Sequence, residues 1–339
     1  MLAGMNPLGP VILIALLGVL TVYLLYRFTS RWFGPLVGYS TSFLYAVSPL
    51  PVVFSRNSWN PNLAPLFALL ITWVVVNLVQ KKSYDFKNFF LLGLFAGALV
   101  QMHYMALLFL VGVGVTLLIY LRKQVSTLIK GSLISLFAFA LSLSPFIIFE
   151  LRNDIVNTRA ITRFVEAKEE HNIRYSLPFD LWSNKVGSST TRLFASLFGR
   201  DALTSDPKRV AITYAVVVIL TLSLYSSIRR KDEASKTYLA LFCLFIIPLI
   251  LIGIYQENVH LHYLGFFFPL TYILVGASMR HSSKAQWLSG SIALLLLFYQ
   301  APQLISYLGS NNTNQVIRAR EVAEYIVKEA GGKPYNMVS

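Results

Sequence analysis

The chain has 339 residues, 55% of them hydrophobic and 13% charged, with a formal net charge of +14. Roughly a quarter of an ordinary soluble domain is charged, so this balance excludes a cytosolic globule. The excess Lys and Arg sit in short clusters between apolar runs rather than along one amphipathic face, which excludes nucleic acid as the partner and reads as a topology signal.

Met1 to Asn6 carries no basic n-region, so the chain is expected to open almost directly into membrane rather than with a signal peptide. Apolar windows bounded by turn residues then predict about ten spans, near 7–26, 35–54, 61–80, 88–102, 105–121, 126–149, 209–228, 237–255, 261–279 and 286–305. Lipid offers no partner to a free N–H or C=O, so such segments are helices. The predicted fold class is all-α, a polytopic transmembrane helical bundle over residues 1–305. The stretch "FFLLGLFAGALVQMHYMALLFLVGVGVTLLIYL" is too long for one crossing and divides at "QMHY" into a tight hairpin.

The connections alternate in charge. Arg27 and Arg31, Lys81, Lys82 and Lys87, Arg122, Lys123 and Lys130, Arg229, Arg230, Lys231 and Lys236, and Arg280 with Lys284 fall in every second loop. The short loops between them hold one arginine, Arg56. Lys and Arg mark the cytoplasmic side, so the intervening loops and the tail are expected outside.

Those outward loops collect the polar chemistry. In "VFSRNSWNPNLAP", Asn60 reads as an N-cap, Pro61 as the first-turn proline and Trp59 as an interfacial belt residue, whereas Arg56 stands at the acyl boundary, where a cation calls for an anion. Gln101, His103 and Tyr104 occupy the hairpin tip. Glu150, Arg152, Asn153 and Asp154 leave the sixth span, with Glu150 and Arg152 readable as an ion pair. Glu257, His260, His262 and Tyr263 fill a third connection. His260 and His262, at i and i+2, converge only on an extended loop and offer no third ligand, so no metal site is assigned. The sole cysteine, Cys243, lies inside an apolar run, which leaves neither a disulfide framework nor a thiolate site. The long outer loop, 150–208, carries "DLWSNKVGSSTTRLFASLFG", whose apolar residues recur at helical spacing. That helix either lies flat in the lipid interface or packs on the bundle as a cover.

The segments "NPLGPVILIALLGVLTVYLLYRFTSRWFG", "SPLPVVFSRNSWNPNLAPLFALL", "GLFAGALVQMHYMALLFL", "SPFIIFELRNDIVNTRAI" and "HLHYLGFFFPLTYILVG" together resemble GT-C type membrane glycosyltransferases. The branch is the one holding dolichyl-phosphate-mannose-protein mannosyltransferases and enzymes similar to aminoarabinose transferase. The resemblance implies a polyprenyl-phosphate-linked sugar as donor, a lipid, glycan or protein as acceptor, no cofactor, and an active side facing out of the plasma membrane. Such enzymes carry an acidic base on an early outer loop, which is expected upstream of Met1, with Glu150 as the fallback within this chain. The tail, 306–339, reads as an amphipathic helix with a Gly-Gly C-cap opening a further outer domain.

Transfer from such a donor needs a cationic grip on the departing phosphate and a carboxylate near the anomeric carbon. Arg56 is the leading phosphate ligand, with His103, Tyr104 and Arg152 beside it, and Gln101, Glu150, His260 and His262 are the sugar or acceptor contacts. A secondary transporter would place ionisable or broken positions at mid-membrane, and the span centres are nearly free of them. A non-catalytic binding subunit is the other alternative, favoured by the missing base.

Overall fold

The computed structural model describes residues 8–80, 85–160, 162–163, 179–198, 207–255, 258–280, 283–309 and 315–333. Among them there is no strand.

Helix α1 (Leu8–Phe33) has 26 residues, about 39 Å at 1.5 Å per residue, enough to cross a hydrocarbon core of about 30 Å. It runs past its predicted end, so Arg27 and Arg31 lie on the helix rather than after it. Gly34 turns the chain at φ 100, a region costly for any residue with a Cβ, and Pro35 opens α2 (Pro35–Ala46). The span expected over 35–54 is divided. Pro49 has no N–H to continue a helix and pushes Ser48 into an extended conformation, so α3 (Pro49–Phe54) starts afresh.

Asn60 is not the N-cap expected of it. Trp59 holds that position with extended backbone, and residues Asn60–Leu63 form a 3-10 turn leading into α4 (Ala64–Val79). The Asn62 side-chain amide donates to the Asn57 carbonyl at 2.6 Å, closing the turn. Asp85 caps α5 (Phe86–Met102) by accepting from Lys87 N–H, and the hairpin divides at His103 before α6 (Ala106–Leu121). The sixth predicted span is also divided, at Leu143 ahead of Pro145, into α7 (Val125–Ser142) and α8 (Ser144–Arg152). Then follow α9 (Phe179–Phe198), α10 (Pro207–Arg230), α11 (Glu233–Leu251), α12 (Phe267–Ser278), α13 (Ser283–Gly309) and α14 (Gln315–Ala330). The segment expected over 261–279 begins with a 3-10 turn, Leu261–Leu264, and α14 ends at Gly331 and Gly332, both at positive φ.

Five of the described helical segments are long and apolar enough to cross a membrane: Leu8–Phe33, Asn60–Val79, Val125–Ser142, Val210–Arg230 and Glu233–Ile254. Shorter apolar helices, Phe86–Met102, Ala106–Leu121, Phe267–Ser278 and Leu294–Ser306, accompany them. Helix α12 is buried at every residue and α4 at most of its own, so these two form the centre. Helices that are apolar all round belong in such a place. By contrast α1 turns Ile12, Leu16 and Val19 outward, as lipid-facing helices do.

Contacts between helix ends separate the bundle into two poles. At one, Gln80 at the end of α4 donates to Thr237 Oγ1 (2.7 Å), Tyr120 at the end of α6 donates to the Lys236 carbonyl (3.2 Å), and Arg280 after α12 pairs with Asp232 (2.8 Å). Arg122, Lys123, Arg229 and Arg230 adjoin these residues in sequence. The opposite ends of α4, α6, α11 and α12 meet at the other pole.

Candidate functional site

Three separate connections build a basin of aromatic and imidazole rings at that second pole. Trp59, ahead of α4, lies 4.3 Å from the His262 ring. His103, which caps α5 with extended backbone, sits 4.5 Å from Tyr104, 4.2 Å from Tyr263 and 5.8 Å from His262. His260 is extended at φ −91, ψ 154, which brings it and His262 into a stack 5.6 Å apart at 13°. Tyr104 and Tyr255 share a hydroxyl–hydroxyl hydrogen bond of 2.5 Å that ties the hairpin tip to the segment after α11.

Two of the basin histidines, His103 and His262, are held toward the neutral form. Burial, and then the neighbouring His262, push the His103 pKa down to about 4. Burial, and then His260, also lower that of His262. His103 Nδ1 accepts from the Met105 N–H at 3.2 Å, which assigns the proton of the neutral ring to Nε2. With the phenols beside them, these rings offer donors and acceptors on aromatic faces, suited to hydroxyl groups and to the C–H face of a ring.

This imposes a pH dependence. The folded state favours neutral His103, so the unfolded chain takes up the proton first, and the stabilisation is complete above about 6.5 and lost as the pH falls through about 4. The imidazole is half-buried, and screening reduces the contribution to on the order of 1 kcal/mol. Between pH 7 and pH 4 the melting temperature of the protein is expected to fall further than that of His103→Gln. Equal falls would remove His103 as the cause.

The remaining predicted residues are placed differently. Arg56 is exposed on the turn after α3, three residues ahead of Trp59. Arg152 is exposed in the last turn of α8. The Gln101 amide donates to the Gly97 and Ser142 carbonyls, both at 3.1 Å, and so pins α5 to α7 rather than reaching the basin rings. The Glu150 carboxylate is engaged by its own loop and not by Arg152. One oxygen accepts from Asn157 N and Nδ2 (3.2 and 2.7 Å), the other from Thr158 N and Oγ1 (2.9 and 2.7 Å). It caps the short helical stretch 156–160 by the chemistry of an N-cap. Burial raises its pKa, but these hydrogen bonds outweigh that and leave it lowered. Glu257 lies outside the described residues. Among the described residues no group of three or more His, Cys, Asp and Glu side chains is placed to hold a metal ion.

An apolar cavity of about 280 Å³ lies beside the turn that carries Arg56. Ile14, Leu17 and Val22 of α1, Val52 and Phe54 of α3, and Phe268 of α12 line it, with Ser55 and Asn62 as polar members. It fits an aliphatic chain by its lining and its place under α1.

Sequence reasoning placed Trp59 in a lipid belt and gave Tyr255 no role, although both belong to the basin. On α9 it reads Trp182 only as an apolar position and gives Lys185 and Arg192 no role. Trp182 Nε1 donates to the Ile250 carbonyl (3.2 Å), Lys185 Nζ to that of Tyr255, and Arg192 Nη1 to that of Val259 (2.6 Å). The signal available was their spacing of three and seven, which sets them on one side of a helix. The helix itself does not lie flat in lipid: Leu193, Phe194, Leu197 and Phe198 are buried in the main core.

No curated protein matches the chain. Residues 1–149, from α1 into α8 and including Arg56, Trp59 and His103, match the model of a family described as dolichyl-phosphate-mannose-protein mannosyltransferase, and over that stretch the chain is similar to that family.

Proposed function

We propose that the protein is a multi-pass membrane glycosyltransferase that takes a sugar from a polyprenyl-phosphate-linked donor and passes it to a lipid, glycan or protein acceptor. The observation that carries this reading is the order of environments along 54–59. Phe54 and Ser55 line the apolar cavity, Arg56 follows, and Trp59 lies against His262 in the basin. The donor has its parts in the same order: isoprenoid chain, phosphate, sugar. The family match over residues 1–149, which contains the cavity-lining residues of α1, α3 and α4 together with Arg56, supports the same assignment.

In this reading Arg56 grips the phosphate, its guanidinium matching two oxygens, with Arg152 as a second cation. His103 and Tyr104 move from the phosphate to the sugar, because a neutral imidazole and a phenol hydrogen-bond hydroxyls without supplying charge. His260 and His262 join them. Gln101 and Glu150 are left with the structural hydrogen bonds described above and take no part in transfer. About ten crossings are read from the apolar windows, the distribution of Lys and Arg puts the basic pole in the cytoplasm and the basin outside, and the resemblance to the family suggests the plasma membrane. The tail after α13 then lies on the same outer side.

The test is the complete protein in liposomes with labelled polyprenyl-phosphate sugars, where transfer of label to an extractable acceptor is expected. A hydrogen bond to a charged group is worth about 1.5–3 kcal/mol, so Arg56→Ala should weaken donor binding about tenfold or more. Unchanged affinity in Arg56→Ala takes the phosphate away from this residue. A donor panel that neither binds nor transfers removes the activity.

A further inference from the structure

We propose that α9 is the aligning element of the basin, with Lys185 and Arg192 as positioning residues that fix the segment bearing His260 and His262. The effect on transfer rests on the function proposed above, whereas the geometric part stands without it.

The described residues after α11 take hydrogen bonds from outside their own segment. A helix leaves its last four carbonyls without N–H donors, and the irregular stretch beyond α11 extends that shortage. Side chains of α9 meet it from one side. Trp182, Lys185 and Arg192 donate in turn to the carbonyls of Ile250, Tyr255 and Val259, and Val259 immediately precedes His260. Two of these donors are cations, and both residues are half-buried. Arg192 has given up part of its hydration to reach the Val259 carbonyl, which is tolerable where the bond holds a defined geometry. Trp182 also closes over the backbone: a Cβ added at Gly253 would stand 2.2 Å from its indole. Tyr255, held through its carbonyl by Lys185, reaches with its hydroxyl to Tyr104 on the hairpin.

The other end of α9 reaches the second half of the site. The Leu197 carbonyl accepts from Ser48 Oγ, from Tyr272 Oη at 2.7 Å and from Gln300 Nε2 at 3.3 Å. Ser48 is the residue from which α3 starts, and α3 delivers Arg56 and Trp59. A single helix therefore holds, at its two ends, the supports of Trp59 and of His262, which meet at 4.3 Å.

The test uses the full-length protein in nanodiscs with histidine labelled at Cε1, read by NMR titration, together with hydrogen exchange. In the double variant Lys185→Met with Arg192→Met, the midpoints of His103 and His262 are expected to rise toward the ordinary value by about one pH unit or more. Exchange across 252–262 should accelerate about tenfold or more, with α4 unchanged. Lys185→Arg, which keeps a donor at the Tyr255 carbonyl, should restore both readouts when paired with native Arg192. A double variant that melts lower while both midpoints stay at parental values overturns the proposal, since loss of packing alone does that. Where the double variant does not fold, exchange in Lys185→Gln decides: acceleration confined to 252–262 supports the assignment and parental exchange overturns it. A parent protein that transfers no sugar defeats the proposed function while leaving these two readouts to decide the alignment.

Discussion

Gly93→Val is expected to cost about 3 kcal/mol or more and to lower the melting temperature of the full-length protein in detergent. A Cβ at Gly93 would stand 2.0 Å from the Ser135 carbonyl oxygen and 2.8 Å from Ala138 Cβ, and one at Gly97 would stand 2.6 Å from Ser142 Cβ. The obstacle at Gly93 is backbone, which cannot rotate away. From the other side, a Cβ at Gly131 would enter the Phe89 ring at 2.5 Å. Glycines four apart on one helix let two membrane helices approach closely, and between such helices packing and hydrogen bonding replace the hydrophobic drive of water. Overpacking a closed contact costs about 1–3 kcal/mol, and more where the main chain must shift. The disturbance also reaches the basin, because α5 ends at His103 and Gln101 bonds across to Ser142. Gly114→Ala is the control, since no atom lies within 4 Å of a Cβ there. A Gly93→Val protein that melts with the parent would mean that α5 and α7 are not in this contact.

How far these features are legible in the sequence depends on how local their causes are. Helix positions follow from apolar length, and the breaks at Ser48 and Leu143 follow from Pro49 and Pro145, although hydropathy windows ran straight across both. The "GLFAG" of α5 carries the close approach to α7 in plain view, but its partner on α7 has no matching signal beyond small residues. His103, His260 and His262 are conspicuous as imidazoles between greasy runs. That Trp59 meets His262 is not, because nothing local couples positions two hundred residues apart, and an interfacial tryptophan reads as a belt residue. Glu150 misleads for a physical reason. Its role depends on a turn that places Asp154 and Ile155 at φ 51 and 50, and such values at an aspartate and a β-branched residue cannot be inferred from residue type. Lys185 and Arg192 share one side of a helix, but nothing local names the carbonyls they hold.

Truncating Phe198 to Ala, alone or with Phe194→Ala, is expected to undock α9, at a cost of about 3–5 kcal/mol for each ring removed from a closed core. Phe198 is fully buried and 5.1 Å from Tyr272, and Phe194 is stacked at 6.0 Å and 6° on Phe245. The cost extends beyond the rings. If α9 leaves, Ser48, Tyr272 and Gln300 all lose the Leu197 carbonyl, and a buried hydroxyl without an acceptor is penalised by about 1–3 kcal/mol. Hydrogen exchange locates the effect. A helix packed on the bundle predicts faster exchange along 179–198 and also at α12 around Tyr272, the most deeply buried element of the protein. A helix whose apolar side lay in lipid would lose membrane contact on truncation, with α12 exchanging as before. Exchange unchanged at α12 in a folded Phe198→Ala protein would detach α9 from the core, and with it the support this helix gives to both halves of the basin.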